Sequence, residues 1–121
     1  MDIRDKFAIM DRVIDETLKL VYGEKSKKTL EKFSSVCKDI LDQKDPLCAY
    51  MFAIGVSHHL DNDYQKLFNV KKFENLVLSS RDEDLIYGFG RDVKGADLKN
   101  IHDNLSSPSA RHLIEQDMRT L

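Results

Sequence analysis

Apolar residues recur at Ile3, Phe7, Met10, Ile14, Leu18 and Val21, in steps of three and four. That is the 3.6-residue repeat of a helix with one buried face. Asp2 stands where an N-cap belongs, and Asp5 falls in a first turn, where the helix dipole favours a carboxylate. Gly23 is placed to end the run in the left-handed conformation that a C-cap often takes. About twenty residues at 1.5 Å each make a helix near 30 Å long.

A second run follows at Leu30, Phe33, Cys37, Ile40 and Leu41, with Ser26 as its N-cap. Thr29 stands where a capping box takes Glu or Gln, so no box is expected. Gln43-Lys44-Asp45 reads as a turn. Asp45-Pro46 then starts a third helix, since Asp caps and proline loses nothing at the first helical position. Leu47, Tyr50, Met51, Ile54 and Leu60 mark the face of this helix, and Phe52 and Val56 widen it. Nearly all of 47–56 is apolar, which predicts the central, most buried helix.

Beyond Asp61-Asn62-Asp63 the pattern breaks into shorter pieces. Asp63 is expected to cap a short helix holding Leu67 and Phe68. Phe73, Leu76, Val77 and Leu78 predict a helix over 71–79, with a short strand at Val77-Leu78 as the alternative. Ser80 and Glu83 have capping-box spacing ahead of Leu85, Ile86, Phe89 and Val93. Gly88 and Gly90 weaken that helix and Gly95 ends it. Leu98, Ile101 and Leu105 share one side of a further helix over 97–105. Ser107-Pro108 opens the last one, with Ala110, Leu113, Ile114 and Met118 on its face. The expected fold is all-α, a compact multi-helix bundle forming one domain over 1–121. It should have five to seven helices, three longer N-terminal ones packed antiparallel and then shorter ones.

Composition narrows this picture. With 121 residues, 41% of them hydrophobic, the chain can build one real core without a disulfide or metal. Nineteen Lys and Arg against twenty-one Asp and Glu leave a net charge of -2. That lowers the case for nucleic acid, which asks for a positive footprint. No apolar run reaches membrane-spanning length. Met1-Asp2-Ile3-Arg4-Asp5-Lys6 does not read as a signal peptide. Cys37 and Cys48 lie in apolar helical patterns, which points to buried thiols in a reducing, cytoplasmic or otherwise intracellular compartment.

Candidate chemistry is sparse. Lys25, Lys27, Lys28 and Lys32 form the one basic cluster, diluted by Glu24 and Glu31. His58 and Asp61 are three residues apart and could share a face as metal ligands, with a further ligand from a distant element such as His102 or His112. Asp61-Asn62-Asp63 fails as a calcium loop, because Lys66 stands at the glycine position and Lys72 at the terminal Glu position. Residues 88–95 hold three glycines and Arg91 without dinucleotide or phosphate-loop spacing, so close helix approach explains them better than a ligand. Glu74, Asp82, Glu83 and Asp84 sit among Lys71, Lys72 and Arg81, as solvated ion pairs and caps would. Neither cysteine has a sequence-near base, so no nucleophile is assembled.

These observations lead to a non-enzymatic protein-interaction or regulatory module with no cofactor, no metal and no catalytic residue. Its expected partner is another protein or a second copy. Met10, Tyr50, Met51, Phe52, Phe68 and Phe73 are the candidate interface residues, each also able to serve as core. The alternative is a nucleic-acid-binding regulator using the Lys25, Lys27, Lys28 and Lys32 surface. A metal- or ligand-binding helical protein using His58 and Asp61 is the third reading.

Overall fold

A computed structural model describes residues 2–120. The described residues are helical and contain no strand. Helix α1 spans Ile3–Tyr22, α2 Lys27–Asp42 and α3 Pro46–Val56, followed by a 3-10 turn at Ser57–His59. The shorter helices are α4 (Asn62–Phe68), α5 (Val70–Ser79), α6 (Glu83–Asp92), α7 (Leu98–Asp103) and α8 (Pro108–Arg119). Only Asn69 separates α4 from α5, and it adopts the left-handed conformation at φ 42°, ψ 66°. Counted as one bent unit, α4–α5 brings the helices to the expected upper number of seven.

The caps show where local chemistry was read correctly and where it was not. Asp2, Asp45 and Ser107 accept hydrogen bonds from the first turns of α1, α3 and α8 as expected, whereas Asp97, read as part of the 97–105 helix, stands before α7 as its cap. Thr29 does close a capping box: its amide donates to Ser26 Oγ at 3.2 Å, and its hydroxyl accepts from the Ser26 amide at 2.8 Å. A threonine hydroxyl replaces the longer Glu or Gln here. Asp61, not Asp63, caps α4, accepting from the amides of Asp63 and Tyr64. Asp82, not Ser80, caps α6. Glu83 instead reaches across the chain, where Oε1 accepts from the amides of Ser106 and Ser107 at 2.8 Å each and anchors the start of α8. Gly23 is extended (φ -79°, ψ -171°) rather than left-handed. A Cβ there would lie 3.2 Å from the Lys19 carbonyl oxygen, and that close approach favours glycine. Val77 and Leu78 are helical, so the strand alternative falls.

Helix α3 is central, packing against α1, α2, α5 and α6. Its most buried residues are Cys48, Ala49, Phe52, Ala53 and Val56. The expected face of Leu47, Tyr50, Met51 and Ile54 is only half-buried. In an all-apolar helix periodicity does not locate the innermost side; the neighbours do. Phe52 stacks on Phe73 with centroids 5.7 Å apart, and Phe68 closes the triad at 4.7 Å from Phe73. Phe33 meets Tyr64 edge-on at 5.1 Å.

Both glycines of α6 mark close packing. A Cβ on Gly88 would enter the Tyr50 ring, and one on Gly90 would lie 2.8 Å from Ile101 Cγ2 and 3.3 Å from Ile101 Cβ. Ile101 is fully buried and β-branched, so it cannot swing aside. Gly90→Ala should therefore cost about 1–2 kcal/mol in chemical denaturation, overpacking outweighing the helix propensity gained. A Gly90→Ala chain as stable as the parent would show that α6 and α7 can move apart. Gly95, at φ 90°, supplies the left-handed turn after α6 has already ended at Asp92.

Candidate functional site

Four of the six candidate interface residues are core. Met10 is 2% exposed, and Phe52, Phe68 and Phe73 are fully buried, so these four side chains are packed into the core. Tyr50 and Met51 are half-buried and pack against the core. The basic cluster also loses a member. Lys25 Nζ lies 2.5 Å from Asp61 Oδ2 and 2.9 Å from Asp63 Oδ2, and 5.9 Å from the Tyr64 ring centroid. The two carboxylates push the Lys25 pKa up, and the Lys25 hydrogen bond holds Asp61 below its ordinary range. This clamp ties the approach to α2 to the start of α4. Lys27, Lys28 and Lys32 remain exposed.

His58 and Asp61 are engaged apart. His58 Nε2 lies 2.7 Å from the Asp92 carbonyl oxygen, while Asp61 caps α4 and holds Lys25. Among the described residues no three His, Cys, Asp or Glu side chains gather as a metal site. Cys37 and Cys48 are buried free thiols. Burial pushes the Cys37 pKa up to about 12, and burial followed by nearby Asp45 raises that of Cys48. Thiols held protonated are poor nucleophiles. Glu74, expected among solvated ion pairs, is 1% exposed and joins α5 to α7.

His102 and Glu115 join α7 to α8. His102 Nε2 lies 2.8 Å from Glu115 Oε1, and Nδ1 lies 3.3 Å from Asp103 Oδ1. The hydrogen bond to Glu115, then that to Asp103, raises the His102 pKa above its ordinary 6.5; the same bond lowers Glu115 below 4.5. A raised histidine pKa stabilises the fold fully below 6.5 and loses that contribution as pH rises through the folded value. The lowered carboxylate contributes above 4.5 and loses its part as pH falls through its folded value. The melting temperature gap between parent and His102→Gln should thus be widest between about pH 4.5 and 6.5 and shrink as pH rises through the raised folded value of His102. A gap independent of pH would mean that the contact acts through packing.

What remains is the outer face of α1 and α2. These are the two longest helices, and α3 supports them from one side. On the other side an open apolar channel runs between them. Its upper part, near the α1–α2 turn, is walled by Thr17 and Leu20 on α1 and by Lys32 and Val36 on α2. Its lower part is lined by Ile9 and Met10 on α1 and continues to Cys48 on α3. The two parts meet at Val13, Ile40 and Gln43. Lys6 and Asp45 close the lower end with a 2.7 Å ion pair. That hydrogen-bonded pair raises the Lys6 pKa and lowers that of Asp45. Ile9 is 44% exposed, while Ile40 on the channel floor is 3% exposed.

Ile9, Val13 and Leu20 lie beside the main α1 stripe rather than on it. Their i, i+4 and i+11 spacing is the signal that reveals a second apolar shoulder. No helix among the described residues is long and apolar enough to cross a membrane. No protein-family model, curated protein or solved structure matches the chain.

Proposed function

We propose that the chain is a non-enzymatic protein-interaction module whose working surface is the outer face of α1 and α2, acting in a reducing, intracellular compartment. One observation carries this reading: an open channel lies uncovered along the two longest helices, lined by the apolar Val13, Leu20, Val36 and Ile40 together with the charged Glu16, Lys19, Lys32 and Asp39. Apolar contact area interleaved with polar groups is the anatomy of a protein contact surface. The occupant is a protein surface presenting apolar helical side chains, which match such a channel.

The buried, protonated thiols and the dispersed carboxylates support a role without catalysis. The nucleic-acid reading is the weaker one, because Lys25 is committed to Asp61 and Asp63 and Glu31 interrupts the other three lysines. Site-specific photocrosslinking in cells tests the proposal. A photoreactive residue at Val36 should link to protein, while one at exposed Asn75 on α5 should not. Equal crosslinking from both positions would remove the basis of the reading.

A further inference from the structure

We draw no further inference here: the strongest candidate, the cleft between α2 and α4–α5 lined by Lys38, Lys66 and Lys72, rests on surface lysines alone, since every charged, hydroxyl and amide side chain around it is exposed and none is built into the fold to hold an anion.

Discussion

Phe73→Ala should lower the unfolding free energy by about 4 kcal/mol, the largest loss expected from a single core substitution here. Phe73 is fully buried, stacks on Phe52 at an interplanar angle of 19°, and touches Phe68. The three rings come from α5, α3 and α4, so truncation opens a cavity where three helices converge. Phe52 and Phe68 are themselves fully buried and wedged against other core residues, so neither can collapse into the space. Phe73→Leu refills most of that volume and should cost no more than about 1.5 kcal/mol. Urea unfolding of the two variants reads the difference. Equal losses would indicate that ring stacking rather than volume holds the site.

Glu74→Ala should cost about 3 kcal/mol, for a different reason. The Glu74 carboxylate is 1% exposed, and its two oxygens serve three donors. Oε1 accepts from the Asp97 amide at 2.7 Å. Oε2 accepts from Asn100 Nδ2 at 2.8 Å and from Lys71 Nζ at 3.2 Å. Removing the carboxylate strands the Asp97 amide and the Asn100 side chain at the start of α7, where no neighbouring helix replaces the acceptor. Glu74→Gln keeps the length and one acceptor oxygen but points an NH2 group at a donor, so it should fall between Ala and the parent. Amide exchange in α7 should rise more in Glu74→Ala than in Phe73→Ala, since the damage is local to that helix. Similar exchange in both variants would contradict the assignment of Glu74 as the α5–α7 tie.

The all-α fold was legible because α1, α2, α5 and α8 carry one-sided apolar stripes and because Asp45-Pro46 and Ser107-Pro108 punctuate the chain. The inner side of α3 was not, since a helix apolar all round has no moment to read. The long-range partners of Glu74 and Glu83 were hidden for a related reason. A carboxylate beside lysines reads as solvated until tertiary packing brings Asp97 or Ser106 to it. The aromatic residues taken as candidate contacts turned inward because Phe52, Phe68 and Phe73 find each other. The exposed apolar surface lies instead at Ile3, Phe7, Ile9 and Tyr22 on α1 and Leu113 on α8, so the N-terminal part of the expected α1 stripe, Ile3 and Phe7, stays uncovered although periodicity read it as buried.

The central claim is that the α1–α2 face is the surface this chain uses. Methyl NMR of the isotope-labelled full chain, compared between dilute buffer and the cell interior, tests it most directly. The account predicts that the Ile9, Val13 and Val36 methyl signals shift or broaden together inside the cell beyond the uniform broadening of Ile101 and Ile114, which are fully buried on α7 and α8. Uniform broadening of all five, or changes centred on exposed Ile3 and Leu113 instead, would contradict it.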